Sequence, residues 1–244
     1  MHKITEVLVI SDNPFLAKRF EQEVWSEVDK SCYGLNFKCS PFTKVSEFNL
    51  EYSISTIDLK DPNSVNSILN YDLAISIHCK QLFPRQLIEK VRCINVHPGY
   101  NPINRGWYPQ VFAIVNNLDI GATIHEIDEE LDSGKIIARK KVKKYSYDTS
   151  LSLYTRVVDQ EVLLLREHIH LILTSDYHTV RPENRGNLFL KKDFDKICNL
   201  DLDEKLTMGE AINKLRALTH GDYKNAYFFN TDGDKIYVSL NIGK

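Results

Sequence analysis

The sequence predicts an α/β fold: a mostly parallel sheet flanked by helices, followed by a small C-terminal helix and hairpin. Three observations carry that expectation. Short, nearly continuous apolar runs such as TEVLVISD (5–12) and LAISIHC (73–79) read as strands buried on both faces. Segments with helical apolar spacing separate these runs, which is the alternation a parallel sheet requires. At 244 residues, 43% hydrophobic and 26% charged, the chain is long enough for one sizeable domain and an appendage, with a core that needs no staples.

The elements follow in order. After the strand at 5–12, Asn13 is placed to cap a helix and Pro14 suits its first position, with Phe15, Leu16, Phe20, Val24 and Val28 at roughly helical spacing. The unit repeats as a strand over 35–42, a short strand near 54–58, a helix over 62–70, the strand 73–79, a helix over 84–91 and a strand over 93–97. A loop rich in Pro, Gly and Asn leads to a short helix over 108–117. GATIHEID (121–128) alternates as a strand does, and KIIARKKVKK (135–144) reads as its neighbour. Between them EELDSGK is a turn in which Gly134 is expected to supply an unusual backbone angle, leaving Asp132 on a loop tip. Leu151, Tyr154, Val158, Val162, Leu165, Ile169 and Ile172 predict a long amphipathic helix over 150–173. The polar stretch 174–206, with RPENRGN inside it, reads as a linker or wrapping arm. Thr207 and Glu210 then form a capping-box pattern ahead of a helix through Leu218, and a hairpin is expected around TDGDK. The expected division is a main domain over 1–180 and a linker with a small C-terminal subdomain over 181–244, which is too small to fold alone.

Composition narrows the functions. A formal charge of −2 gives no reason to expect a nucleic-acid or membrane surface, so any bound polyanion must be held by local charges. The five cysteines are scattered and suit reduced thiols in a cytoplasmic protein. No pair among His78, Cys79, Cys93 and His97 has zinc-motif spacing, and no metal is expected. The N-terminal apolar run is too short for a signal peptide, and no stretch reaches transmembrane length. A nicotinamide-dependent oxidoreductase predicts a glycine-rich turn after the first strand, which SDNPFLAKRF (11–20) lacks.

The chemistry concentrates in CINVHPGYNPINRGWYPQ (93–110). Asn95 and His97 fall at the carboxyl end of a strand, where ligands gather in open α/β sheets, and residues two apart point to the same side. An amide can donate to an oxyanion, an imidazole can take and return a proton, and a carboxylate such as Asp132 can orient that imidazole. Such a set suits acyl transfer to a nitrogen, and no Ser or Cys lies in a nucleophile elbow. Each residue also has a plainer reading: His97 as a structural hydrogen-bonder, Asn95 as a turn cap, Asp132 as a partner of its own loop. Composition and periodicity leave both open. His125, His168 and His170 receive no role.

INVHPG (94–99) followed by LDSGKII (131–137) resembles the signature of the folate-dependent formyltransferases. The versions HPGYNPINRGWYPQVFAI (97–114), SIHCKQLFP (76–84) and INKLRALTHGDYKNAYFF (212–229) are similar to the sugar N-formyltransferases acting on dTDP-linked 4-amino-4,6-dideoxyhexoses. The tRNA and purine enzymes instead continue from HPS into a Leu-Leu-Pro type stretch. The resemblance implies a Rossmann-like catalytic domain, N10-formyltetrahydrofolate as cosubstrate, and a dTDP-aminosugar acceptor, first of all dTDP-4-amino-4,6-dideoxyglucose, in surface polysaccharide (O-antigen) biosynthesis. It implies a triad of His97 as general base, Asn95 as oxyanion donor and Asp132 as orienting carboxylate. It places the pterin along the backbone of Ser76, His78, Cys79, Lys80, Gln81 and Leu82, with Lys80 meeting sugar or phosphate or else solvent. Asn104, Arg105, Trp107 and Tyr108 would hold the nucleotide, although Trp107 also suits core packing. Tyr223 and Asn225 would form a second wall, with Arg216 a further charge there or a surface residue. A homodimer through the C-terminal region is implied as well. The alternatives are a formyltransferase for another amine, a formyltetrahydrofolate hydrolase, or a noncatalytic sugar-nucleotide binding module.

Overall fold

The structure, a computed structural model, describes residues 5–243; residues 1–4 and 244, at the outer ends of the two expected domains, lie outside it. In chain order the first elements are β1 (Glu6–Ser11), α1 (Pro14–Arg19), β2 (Gly34–Cys39), β3 (Ile54–Thr56), α2 (Pro62–Asn66), β4 (Leu73–Ile77), α3 (Arg85–Ile88) and β5 (Arg92–His97). There follow β6 (Arg105–Gly106), α4 (Pro109–Val115), β7 (Ile120–Glu126), β8 (Ile136–Val142) and α5 (Ser150–Thr174). The C-terminal part holds β9 (Leu188–Phe189), α6 (Lys191–Cys198), α7 (Met208–Leu218), β10 (Ala226–Phe229) and β11 (Lys235–Val238). Seven strands make one sheet in the order β3-β2-β1-β4-β5-β7-β8. It is parallel from β3 to β5 and antiparallel from β5 to β8. This is the mostly parallel sheet that the strand and helix alternation predicts.

The run Val7, Leu8, Val9 and Ile10 is fully buried because helices cover both faces of β1. On one side α5 lays Val158, Val162, Leu165, Ile169 and Ile172 against the sheet, while Leu151 at its first turn is largely exposed. On the other, Ile57, Leu59, Val65, Ile68, Leu87 and Val91 pack on Leu8, Ile10 and Ala74. The Asn13 side chain caps α1 by accepting the Leu16 N–H, and the chain then passes through a π-helical turn (Phe20–Val24) and a 3-10 turn (Trp25–Glu27). Leu16, Phe20, Val24 and Val28 are buried as their spacing predicts, but Phe15 is 64% exposed and belongs to the outer face.

Of the two readings of 174–206, a linker or a wrapping arm, the packing fits the arm. There β9 pairs with β6, and Phe189 stacks on Phe112 with ring centroids 4.0 Å apart. Helix α6 buries Phe194 and Cys198, with Phe194 stacked on Tyr108 at 4.0 Å. These residues join Val111, Ile114, Leu153, Val157, Ala217, Leu218 and Ala226 in a second core that fastens the C-terminal piece to α4 and the start of α5. The expected hairpin forms between β10 and β11, and the Thr207–Glu210 capping box opens α7. Replacing Phe194→Ala is expected to lower stability by about 3–5 kcal/mol in urea unfolding, the cost of removing a buried aromatic; a free linker would show no loss.

Candidate active site

The site forms where the sheet changes direction. Antiparallel pairing sets Asn95 opposite His125 and His97 opposite Thr123. Residues two apart on a strand share a face, so the four side chains converge at the carboxyl end of β5. The loop from β7 to β8 returns Asp132 to this point. Its Oδ1 accepts from Asn95 Nδ2 at 3.0 Å and its Oδ2 from the Gly106 N–H at 2.9 Å. His97 Nδ1 lies 3.5 Å from Oδ2, and His125 Nε2 lies 3.5 Å from Oδ1.

The turn is made differently from the expectation. The left-handed backbone sits at Asp132, with φ 50°, and not at Gly134. A Cβ on Gly134 would come within 1.7 Å of the Glu126 carbonyl oxygen, so glycine is needed there for close approach. Asp tolerates the left-handed region better than most residues, and the bonds to its carboxylate hold it there.

His97 is 4% exposed, and its Nε2 lies 3.0 Å from the Asn104 carbonyl oxygen. Both ring nitrogens therefore face acceptors. A neutral imidazole carries one N–H and satisfies only one of them, whereas an imidazolium satisfies both. Burial lowers the His97 pKa, and the pull of Asp132 and the Asn104 carbonyl in the other direction does not overcome it. For Asp132 burial alone acts to raise the carboxyl, but the His97 imidazole and the Gly106 N–H help to hold it well below the usual carboxylate range. Gly99 is packed over the imidazole, since a Cβ there would fall 2.4 Å from His97 Nε2.

Three residues in this cluster escaped the sequence reading. His125 is buried, and its Nδ1 lies 2.7 Å from the Glu126 carbonyl, which assigns the hydrogen to Nδ1. Its Nε2 is left to accept from Asn95 Nδ2 at 3.3 Å. Thr123 donates to the Gly99 carbonyl at 2.7 Å and accepts the Asn101 N–H at 3.1 Å, while Asn101 Nδ2 donates to the Asp132 carbonyl at 2.9 Å. The signal was the spacing of Thr123 and His125 in GATIHEID, which repeats the spacing of Asn95 and His97 on the facing strand.

The other expected site residues scatter in environment. Ser76 is buried in β4; Lys80 and Leu82 are exposed. The Lys80 N–H is held by Asp12 Oδ2 at 2.6 Å, and Gln81 spends its amide on the Leu59 N–H and the Ile57 carbonyl. Burial pushes the Cys79 thiol up to about 12, leaving it inert near neutrality. His78, with φ 54°, turns its ring onto Glu161, with Nε2 at 2.9 and 3.0 Å from the two carboxylate oxygens. Asn104 is fully buried, and neither of its amide atoms has a hydrogen-bond partner among the described residues; Arg105, also buried, has an unpartnered Nε. Such orphaned polar groups beside His97 are what a polar ligand would satisfy.

Trp107 is partly exposed, whereas Tyr108 is committed to Phe194 and the second core. Tyr223 is 72% exposed and lines a cavity of about 400 Å³ with Leu151, His220, Gly221 and Asp222. Asn225 Nδ2 donates to the Leu218 carbonyl. Arg216 requires correction, because it is neither a surface residue nor a free charge. It is buried, and its guanidinium donates to the Tyr145 and Asp148 carbonyls at 3.2 and 2.8 Å and to Asn213 Oδ1 at 2.8 Å. Among the described residues there is no group of three or more side chains placed to hold a metal ion.

With this geometry in hand, likeness to known proteins becomes informative. Residues 6–169 match the family described as formyl transferase, and residues 193–244 match the N-formyltransferase dimerization C-terminal domain. Over 170 residues the chain is 51% identical to the dTDP-4-amino-4,6-dideoxyglucose formyltransferase of Mycobacterium tuberculosis, covering 70% of this chain and 73% of the relative. The crystal structure of a 4-N formyltransferase from Francisella tularensis aligns over 100% of both chains at 38% identity with a TM-score of 0.90. A sugar N-formyltransferase from a Shewanella species aligns over 98% of both at 38% identity with a TM-score of 0.92.

Because Arg216 ties the 145–148 loop to α7 through buried charge-assisted bonds, Arg216→Met is expected to cost about 2–4 kcal/mol in thermal or urea unfolding. Its affinity for a nucleotide, measured by calorimetry on the folded variant, should change by less than about threefold, well inside the loss of a charged contact.

Proposed function

Because this chain belongs to the formyl transferase family, we propose that it transfers the formyl group of N10-formyltetrahydrofolate to the 4-amino group of dTDP-4-amino-4,6-dideoxyglucose. One observation carries the reading: Asn95, His97 and Asp132 meet at the carboxyl edge of β5, in a chain that over 170 residues is 51% identical to a relative of that name. In the reaction the acceptor amine attacks the formyl carbon, a new C–N bond forms, the bond to the folate nitrogen breaks, and the amine's proton passes to that nitrogen.

His97 takes the proton. Burial keeps its imidazole neutral near pH 7, and once protonated it can give an N–H to both Asp132 and the Asn104 carbonyl, which partly offsets the cost of charging a buried ring. Asn95 donates an amide hydrogen to the formyl oxygen as that oxygen gains charge, re-aiming a donor that rests on Asp132 or His125. Asp132 orients His97 and remains ionised throughout. The backbone from Ser76 to Leu82 offers donors and acceptors to the pterin edge, and Asn104 and Arg105, whose buried polar atoms lack partners, are assigned to the acceptor. Trp107, Tyr223 and Asn225 supply the nucleotide wall, with Lys80 available to phosphate.

We further assign the product, a formamido sugar nucleotide, to surface polysaccharide (O-antigen) assembly, and the enzyme to the cytoplasm, where its five unpaired cysteines stay reduced. No described helix is long and apolar enough to cross a membrane. The match of residues 193–244 to a dimerization domain supports a homodimer through that region.

Wild-type enzyme should release formamido sugar nucleotide from the two substrates, and formate release without the aminosugar would favour a hydrolase instead. His97→Asn should reduce kcat by about 10²–10⁴-fold, the usual contribution of a general base; full turnover in this variant would overturn the assignment. The acid limb of kcat/KM should lie below the ordinary imidazole value of about 6.5, since the neutral form is active and burial lowers its pKa. Asp132→Asn removes a group that raises it, so the residual activity should show the limb at still lower pH. Sedimentation at micromolar concentration should give twice the monomer mass, and Ile212→Asp with Tyr237→Asp, two exposed apolar positions in the C-terminal piece, should halve it.

A further inference from the structure

Beside the triad lies a second polar cluster that this mechanism does not use. Strand register pairs Ile77 with Val96 and Ser11 with Ile77. One residue further on, His78 follows the end of β4, as His97 ends the neighbouring β5. At that position the chain leaves strand geometry: His78 is left-handed, an uncommon state for a residue with a Cβ. The turn separates its two faces. The following backbone runs toward Asp12 and residues 57–59, while the imidazole turns toward α5.

There it meets Glu161, whose carboxylate is 1% exposed and whose two oxygens lie 2.9 and 3.0 Å from His78 Nε2. A carboxylate only accepts, so Nε2 carries the hydrogen and a neutral ring presents Nδ1 as an acceptor. What faces Nδ1 is incomplete. Asn13 Nδ2 and the Tyr154 hydroxyl both stand 3.4 Å away, beyond good hydrogen-bond range, and are joined to each other at 3.1 Å. Tyr154 OH accepts from Asn13 and so keeps its own hydrogen to give. One acceptor and one donor hydrogen thus converge at the end of the strand next to the one that carries His97, as a sugar hydroxyl requires.

A run of rings connects this point with the exposed wall. Tyr154 meets His220 edge-on at 5.6 Å, and His220 meets Tyr223 at 5.7 Å, where the cavity of about 400 Å³ opens. If the nucleotide rests at Tyr223 and the amine at His97, the hexose lies between. Its carbon 1 is bound to phosphate, its carbon 4 carries the amine and its carbon 6 is deoxygenated. Of the free hydroxyls, the one on carbon 3 neighbours the reacting amine.

The geometry points to His78 as the residue that reads the 3-hydroxyl of the acceptor sugar, with Tyr154 completing the contact and Glu161 positioning the His78 ring. This rests on the aminosugar-nucleotide reading above. Glu161 touches no substrate; it fixes which nitrogen of His78 is the acceptor. It also pulls the His97 pKa upward, in keeping with its place close to the triad.

The test compares dTDP-4-amino-4,6-dideoxyglucose with its 3-deoxy counterpart, by calorimetric Kd and by initial rates with the folate donor varied. Wild type should prefer the 3-hydroxy sugar by about 10- to 100-fold, the effect of a ligand group that satisfies buried partners. His78→Asn keeps a residue tolerant of the left-handed backbone but shortens the side chain. Glu161→Gln can donate to Nε2 and so convert Nδ1 to a donor. Both should weaken binding of the 3-hydroxy sugar about tenfold while leaving the 3-deoxy sugar within about threefold, so that the preference collapses, and Glu161→Gln, outside the pterin-binding stretch, should also leave the donor KM within about threefold. Tyr154→Phe, which keeps the ring stack, should lower the preference about threefold and decides the matter if the other two do not fold. A preference that survives in folded variants, or a rise in donor KM in place of acceptor Kd, overturns the assignment of His78 alone. A wild-type enzyme that neither binds nor formylates the 3-hydroxy nucleotide overturns the functional reading itself, and this is seen before any substitution is made.

Discussion

The Asp132 carboxylate is the interaction on which the site depends. Buried and ionised, it would be costly if left unpaired, and two segments of chain supply what it needs: the Asn95 amide and the His97 imidazole from β5, and the Gly106 N–H from the loop after it. These bonds fix the loop conformation as much as the charge does. The left-handed backbone at Asp132 persists because the carboxylate is held, and the Asp132 carbonyl in turn receives Asn101 Nδ2. His97 is thereby lodged between two hydrogen-bond acceptors. A neutral His97 leaves one of them short of a donor, and this local conflict is relieved when the ring takes a proton.

Much of this was legible in the sequence because it follows from periodicity. Buried parallel strands read as continuous apolar runs, and the spacing of Asn95 and His97 on such a strand put both side chains on one face. What was illegible depends on partners distant in the chain. Helix α6 is polar on most of its surface and buries only Phe194 and Cys198, with Ile197 packed partly beside them, which gives too weak a period to be read; its stability comes from Tyr108 and the second core. Arg216 sits at amphipathic spacing on α7, but loop carbonyls from 145–148 close over it, and nothing local announces them. Gly134 shows the same limit: glycine was read as a torsional requirement, and it is a requirement for space beneath a carbonyl in another strand.

His125 is a different kind of omission. On its own strand it is one histidine in an alternating run, with the cleft and the solvent as equal choices. The change from parallel to antiparallel pairing between β5 and β7 decides between them, because it sets His125 directly across from Asn95. Short excursions through β6 and α4 let the chain return beside β5 in the opposite direction. Cross-strand pairing then builds a dense polar cluster from two short segments.

The C-terminal piece is tied to this cluster more closely than its place in the chain suggests. Its α6 holds Tyr108 through Phe194, and β9 pairs with Arg105–Gly106, so the loop carrying the Asn104 carbonyl and the Gly106 N–H is clamped from the C-terminal side. Arg216 fixes the turn before α5, from which Ser150 reaches the His220 ring at 3.0 Å. The surface around Tyr223 and the groups around His97 are therefore parts of one packed body. The carbonyl that His97 faces is thus held in place by packing from the C-terminal piece as well as by its own loop.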